Sequence, residues 1–102
     1  MTHEPPLVSV VMPVRNEAGF IATNLEAVLA QDYPADRLEI LVADGMSDDG
    51  TRDIVRQFVT ESGRRNGSRV ELVDNPDRIM PTGTNAAIRR ARGEVVLLLG
   101  GH

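Results

Sequence analysis

The 102 residues contain neither cysteine nor lysine. Without cysteine there are no disulfides and no thiolate metal sites, which fits a reducing compartment. All eleven basic residues are arginine. That bias reads chiefly as genomic composition, although a guanidinium suits bidentate phosphate contacts. Positive charge is not in excess: fifteen acidic residues bring the formal net charge to −4. Non-specific nucleic-acid binding is therefore disfavoured, since no basic surplus exists to neutralise phosphates. Long apolar runs are missing too. The longest, Val95–Leu99, is far too short to span a bilayer. The leading Met1-Thr2-His3-Glu4-Pro5-Pro6 has neither a basic n-region nor an apolar h-region, so no secretory signal is visible. The expectation is a soluble piece, with room for one domain and a real but modest core.

What is present is a steady alternation of strand-like and helix-like stretches. Leu7–Val14 is almost entirely Val, Met and Leu, bounded by Pro6 and by the polar Arg15-Asn16-Glu17, and reads as a buried parallel strand. Gly19–Gln31 places Ile21, Leu25, Val28 and Leu29 on one helical face, with Pro34 just beyond its end. Leu38–Ala43 is a second strand. Thr51–Ser62 is a second helix with the i, i+4 pairs Ile54/Phe58 and Val55/Val59. Gly63–Ser68 is a polar turn and Val70–Val73 a short third strand. Asp74–Met80 is a loop, Gly83–Ala91 a third helix that Gly93 closes as a C′ residue, and Val95–Leu99 a fourth strand. Such an order predicts a doubly wound parallel α/β sheet with right-handed crossovers. Val95–Leu99 is apolar on both faces, as a central strand would be, yet only three residues follow it. The domain is expected to be incomplete at its C-terminus, with a sheet edge that can pair with another copy.

In such sheets ligands bind at the carboxyl ends of the strands, where Pro13–Glu17, Asp44–Thr51, Asp74–Met80 and Gly100–His102 should meet. The turn Asp44-Gly45-Met46-Ser47-Asp48-Asp49-Gly50-Thr51 carries three carboxylates. Carboxylates accept hydrogen bonds from hydroxyls and N–H groups or hold a hard cation, so the turn points to a donor-rich or metal-bridged ligand. Asp44 should point into the crevice and accept from a base N–H or a ribose hydroxyl. The alternative for Asp44 or Asp49 is an Asx turn or a cap on the helix starting at Thr51. Arg15 can lie over a base or neutralise a diphosphate. Glu17 can accept a ribose hydroxyl, or simply favour the positive end of the next helix. Arg78, in the loop after the third strand, is either a ligand contact or a solvated side chain. Asn85 reads as a local hydrogen-bonding residue. His102 is either a ligand to a divalent cation or a mobile terminal residue.

These segments are similar to the inverting family 2 glycosyltransferases of the GT-A fold. Val8-Ser9-Val10-Val11-Met12-Pro13-Val14-Arg15-Asn16-Glu17 resembles the family's first strand with its P-x-[YRF]-N-E ending. Glu39-Ile40-Leu41-Val42-Ala43-Asp44-Gly45-Met46-Ser47-Asp48-Asp49-Gly50-Thr51 resembles the hhVDDGSxDGT turn. The spaced Asn75, Gly83, Asn85, Ala86, Ala91 and Gly93-Glu94 resemble the segment leading to the metal-binding strand. Asn75-Pro76, Arg78-Ile79 and the closing Gly-His are similar to a bacterial exopolysaccharide branch that includes succinoglycan-type transferases.

The resemblance implies a single GT-A-type nucleotide-sugar-binding domain over residues 1–102, the Rossmann-like half with about four strands and three helices. Pro13, Arg15 and Glu17 would line the nucleoside pocket, Asp44 would contact the base and Arg78 would lie near the donor. The family's metal motif aligns with Gly100-Gly101-His102, leaving His102 as the ligand for Mg or Mn and Gly100 in place of the first Asp. Gly45 stands where many relatives carry a second Asp. The implied donor is a UDP-sugar and the acceptor a saccharide or lipid-linked chain. The general base is expected beyond residue 102, and the location is cytoplasmic, at the inner membrane face in a longer protein. The competing reading is a non-catalytic nucleotide-binding or assembly module, consistent with Gly100. A nucleotidyltransferase ranks lower because Pro13–Glu17 is neither Gly-rich nor basic, and a dinucleotide-binding domain lower still, as no Gly-x-Gly-x-x-Gly follows the first strand. A phospho-acceptor receiver lacks its lysine.

Overall fold

A computed structural model describes residues 5–64, 68–78 and 80–99. In chain order the elements are β1 (Val8–Val14), α1 (Ile21–Leu29), a 3-10 turn (Ala35–Arg37), β2 (Leu38–Asp44), α2 (Thr51–Arg64), β3 (Arg69–Asp74), α3 (Met80–Arg90) and β4 (Val95–Leu98). All pairings are parallel, in the order β3-β2-β1-β4. Four strands and three helices in this alternation are the expected architecture.

Strand periodicity assigns each side chain to a layer. Val8, Val10, Met12 and Val14 of β1, Leu38, Ile40 and Val42 of β2, and Val70 of β3 form one buried face. Ile21, Leu25 and Val28 of α1 and Val55 of α2 cover it, with Ile54, Phe58 and Val59 at the margin. On the other face Val11, Leu41, Ala43 and Val73 pack under Ala87 of α3, with Ala86 and Ala91 beside it. Small residues let α3 sit close: a Cβ at Gly83 would stand 2.8 Å from Asn75 Nδ2 and 3.4 Å from the Ala43 Cβ. Burying a side chain such as Leu25 or Ile40, each 0 % exposed, stabilises the fold by roughly 1.5–3 kcal/mol.

The crossovers explain why α3 lies alone on its face. Steps from β1 to β2 to β3 run in one direction, with α1 and α2 on one side of the sheet. The step from β3 to β4 reverses direction, and a connection of constant hand then has to pass over the opposite face. The reversal leaves β1 and β4 paired with their crossovers on opposite faces, and puts the topological switch at their carboxyl ends.

Several boundaries differ from those read off the sequence. The first helix starts at Ile21 rather than Gly19, because the Glu17 carbonyl accepts both the Phe20 and Ile21 amides at 2.9 Å and closes a turn first. The third helix begins at Met80, so Pro81 sits inside its first turn, where its missing N–H costs nothing. Gly93 is not a left-handed helix cap. It lies three residues past Arg90, and a Cβ there would be 2.6 Å from Ser9 Oγ, 2.7 Å from Ser9 N and 2.8 Å from Leu7 O. Close approach of backbones requires this glycine. The Gly93 amide donates to Ser9 Oγ at 2.8 Å, and Ser9 Oγ donates to Glu39 Oε2 at 2.6 Å. That same Glu39 oxygen accepts the Arg92 amide at 2.7 Å.

The fourth strand is an edge strand in this chain, not a central one. It pairs only with β1, from Val8↔Val95 to Val11↔Leu98, and its residues are 40–59 % exposed. Helix α1 packs over β1 and β2, and no described element lies over β4. Leu97 and Leu99 instead border, with Val8, Val10, Val28, Tyr33 and Leu38, an apolar hollow of about 520 Å³.

The packing at Gly93 sets a test of the fold. Gly93→Ala is expected to lower stability by about 2 kcal/mol or more, since the new methyl meets the backbone at Ser9 N and Leu7 O and a Ser9 hydroxyl already fixed by its hydrogen bonds. Urea denaturation would measure it, and an unchanged midpoint would refute the close-approach account.

Candidate functional site

Three of the four segments expected at the carboxyl end of the sheet are described, and they do meet there. The loops after β1 and β2 are joined by side chains capping backbone amides. The Asn16 amide donates to Ser47 Oγ at 2.8 Å, and the Asp48 amide returns a bond to Asn16 Oδ1 at 2.9 Å. The Glu17 amide donates to Thr51 Oγ1 at 2.8 Å and the Ala18 amide to Asp49 Oδ2 at 3.1 Å. Below them the Gly45 amide donates to the Val14 carbonyl, and the Asn75 amide to the Asp44 carbonyl, each at 2.8 Å. The third loop is anchored by buried Asn75, whose Oδ1 accepts from Thr82 Oγ1 at 3.0 Å.

Among the described residues three non-glycine positions have positive φ: Asn16 (51°), Met46 (59°) and Arg78 (66°). Each of the three loops carries one. Asn tolerates this conformation, but for Met and Arg it stores strain of about 1 kcal/mol or more that surrounding contacts must hold. Gly45 marks where the loops touch: a Cβ on it would stand 3.3 Å from the Arg78 carbonyl oxygen and 3.5 Å from the Arg15 Cβ. Arg15 and Arg78, both exposed, thus sit beside one glycine. Neither has an ion-pair partner among the described residues.

Asp44 does not point into an open crevice. It is the last residue of β2, and alternation with Leu38, Ile40 and Val42 turns it toward α2. Its side chain is 0 % exposed. Oδ2 accepts the Ser47 amide at 2.9 Å and Arg52 Nη1 at 2.8 Å, while Oδ1 accepts the Ser47 hydroxyl. Arg52 Nη2 reaches Asp74 Oδ1 at 2.5 Å. Asp44 and Asp74 are register partners across β2 and β3, and Arg52 bridges them. Asp74, then Asp44, hold the guanidinium pKa above its already high ordinary value.

Sequence reasoning missed Arg52. A signal for it existed. A cation in the first turn of a helix opposes the helix dipole, so it needs carboxylates to offset that cost.

Of the other expected residues, Pro13 is buried in β1 beyond Val11, where pairing with β4 ends and its missing N–H breaks no ladder bond there. Glu17 is buried, 5 % exposed. Asp49 takes the capping role: its Oδ1 accepts the Thr51 amide at 3.1 Å and the Thr51 hydroxyl. His102 and Gly100 lie outside the described residues. Among the described residues no cluster of three His, Cys, Asp or Glu side chains exists to hold a metal. Two of the turn's three carboxylates, Asp44 and Asp49, are engaged by Arg52, Ser47, Thr51 and Ala18. The turn does not fit a divalent cation.

The model of the family described as "Glycosyl transferase family 2" matches residues 9–102. The chain belongs to glycosyl transferase family 2. It is 37 % identical over 102 residues to "Glycosyltransferase AglE" of Haloferax volcanii, covering 99 % of this chain and 32 % of that protein. "Succinoglycan biosynthesis protein ExoA" of Rhizobium meliloti is 37 % identical over 79 residues, 78 % of this chain and 22 % of the relative. Among solved structures, "Mannosyltransferase PcManGT from Pyrobaculum calidifontis in complex with GDP-Man and Mn2+" superposes with a TM-score of 0.84 at 35 % identity, covering 95 % of this chain and 28 % of that one. S. aureus TarS 1-349 in complex with UDP superposes with a TM-score of 0.75 at 27 % identity, over 91 % and 26 % of the two chains. The chain spans about a third of the length of the curated relatives it matches. The sheet is therefore a family 2, GT-A-type sheet.

The Asp49 cap makes acid stability a test of this loop pair. The Thr51 hydroxyl, followed by the amides of Ala18 and Thr51, holds the Asp49 carboxyl below its ordinary 3.8. A depressed folded pKa adds stability above the unfolded value, and that stability is lost as pH falls through the folded one. Unfolding midpoints followed from about pH 5 to pH 2 should fall less steeply in Asp49→Asn than in the parent. Parallel profiles would remove Asp49 from the account.

Proposed function

We propose that this chain is the donor-binding part of an inverting glycosyltransferase that takes a nucleotide-sugar, UDP-linked, and transfers the sugar to a polysaccharide or lipid-linked acceptor. The observation that carries this reading is that the Arg78 backbone and the Arg15 Cβ meet beside Gly45 at the carboxyl end of the sheet, which brings together two exposed arginines with no ion-pair partner among the described residues. In the complete reaction a carboxylate base outside this chain deprotonates an acceptor hydroxyl as it attacks the anomeric carbon. The bond to the diphosphate oxygen breaks, and Arg15 and Arg78 neutralise the charge gathering on the departing diphosphate. Pro13 and Glu17 build the nucleoside side of the pocket from below.

A Mg or Mn ion belongs to this proposal only through His102, and no step above depends on it. The similarity to ExoA supports a role in exopolysaccharide synthesis, with catalysis at the cytoplasmic side of the membrane. No described helix is long and apolar enough to cross a membrane itself. The exposed edge of β4 supports self-association. A second reading, a nucleotide-binding module without turnover, is favoured by Gly100 in place of the family's first metal-motif Asp.

Calorimetry with UDP, GDP and a UDP-sugar, with and without Mn²⁺, tests the reading. Saturable UDP binding tighter than GDP is expected, and tighter GDP binding would reassign the base. Asp44→Ala should weaken UDP about tenfold or more, because it leaves Arg52 and Ser47 without their acceptor. Arg78→Ala should weaken UDP and reduce its salt dependence while leaving uridine affinity unchanged. No nucleotide binding by a folded sample would end the donor-site reading.

A further inference from the structure

We propose that Glu39 is a positioning residue, whose buried carboxylate anchors the connection from α3 into β4 and sets the register of β4 on β1. The register claim stands on the fold alone, and its consequence at the ligand end rests on the donor-site reading above.

Glu39 belongs to β2, and β4 is not its neighbour in the sheet. It shares the α3 face with Leu41 and lies beside Ser9, its register partner on β1. Both are buried, Ser9 at 0 % and Glu39 at 4 % exposure. One oxygen, Oε2, accepts the Ser9 hydroxyl at 2.6 Å and the Arg92 amide at 2.7 Å. The Ser9 oxygen in turn accepts the Gly93 amide at 2.8 Å. A carboxylate on β2 thus reaches past β1 to hold the entry to β4. Its other oxygen faces the Arg92 side chain at 3.7 Å, where that side chain is 55 % exposed. A contact so long and so solvated adds little, so the hold is on the backbone.

Burying a carboxylate carries a large desolvation cost, and a well-packed apolar residue would serve β2 at least as well. What Glu39 adds is specification of β4. Register is normally set by which face of a strand is apolar. Val95–Leu99 is apolar at every position, so its pattern does not distinguish one register from the next. Packing does not decide either, since β4 pairs only with β1 and its residues are 40–59 % exposed. The polar contacts supply what the pattern lacks. A slip of one residue brings Arg92 or Glu94 to the place of Gly93, where a Cβ meets Ser9 N at 2.7 Å and Leu7 O at 2.8 Å. Sterics exclude the neighbouring registers, and the hydrogen bonds hold the observed one. Such a slip would displace the end of β4 by about 3.3 Å, far beyond the tolerance of a hydrogen bond. Glu39 therefore acts from the opposite end of the sheet on the segment after Leu99, which the sequence pattern assigns to the ligand end.

NMR on the full chain tests this. The amides of Val95 and Leu99 donate to the Leu7 and Val11 carbonyls. In Glu39→Ala their hydrogen exchange is expected to speed up about tenfold or more relative to amides of β2 and β3. Contacts between Val8 and Val95 and between Val11 and Leu98 should weaken with it. Glu39→Gln keeps an oxygen for both donors and should keep the parent's exchange and contacts in β4. Equally faster exchange in all four strands would show a merely structural role and overturn the proposal, as would a parent-like β4 in Glu39→Ala. Release of β4 in Glu39→Gln as complete as in the alanine variant would also count against it. Should Glu39→Ala fail to fold, Ser9→Ala removes the hydroxyl between the carboxylate and Gly93. The same selective loss is expected there, and parent-like β4 exchange would defeat the proposal. Titration with UDP separates the two readings. A folded parent that binds no nucleotide defeats the donor-site reading alone, whereas UDP binding with β4 unchanged in every variant defeats this proposal alone.

Discussion

A carboxylate with no exposed surface has to be satisfied from within, and Asp44 imposes that requirement on the whole ligand end of the sheet. Its solvation is replaced by one amide, one hydroxyl and one guanidinium. Ser47 supplies two of these, which fixes the turn after β2. Arg52 supplies the third, which sets the start of α2 over the strand ends. Since Asp74 stands in register beside Asp44, the same guanidinium separates two like charges that would otherwise repel across adjacent strands. Removing a partner from such a buried charge costs far more than the pair contributes net. The arrangement is better understood as specifying one geometry than as adding stability.

From that fixed turn the neighbouring loop takes its shape. Ser47, Asp49 and Thr51 all offer side-chain oxygens to the amides of residues 16–18, so the loop after β1 is held by the loop after β2 rather than by its own sequence. This explains how Asn16, Met46 and Arg78 persist at positive φ. Each strained residue is over-determined by contacts made elsewhere. The Arg78 backbone, packed on Gly45, then completes a platform whose exposed members include Arg15 and Arg78.

The sheet was legible from sequence because its signal is local. Runs such as Val8–Val14 and Leu38–Asp44 are apolar on both faces apart from Ser9, Glu39 and Asp44, and burial on both faces follows. The reversal of strand order was not legible, since the rule of constant hand fixes the face a crossover passes over and not the direction in which it steps. Asp44 was an intermediate case. Its place at a strand end was readable, but its burial depended on counting the alternation one residue past Ala43, to find it facing α2. Arg52 and the role of Gly93 were not legible. Both depend on contacts between residues far apart in sequence, which no spacing within one segment encodes.

The two ends of the switch point are unequal, and that inequality has a physical reading. On the β1–β2–β3 side, side chains and backbone are cross-linked through polar groups, so the loops are preorganised and a ligand held there would meet little ordering cost. On the β4 side, Val95–Leu98 has one hydrogen-bonded neighbour and two uncovered apolar faces. An edge so apolar is a liability that proteins normally blunt with charge, proline or a bulge, and none occurs between Val95 and Leu99. A strand with this composition is suited to a neighbour, whether further sheet or a second copy. The hollow bordered by Leu97 and Leu99 is continuous with the α1 face of the core, so whatever covers β4 extends the same hydrophobic layer that holds β1. Stability on that side and loop geometry on the other therefore meet in one strand, β1, whose carboxyl end leads into Arg15.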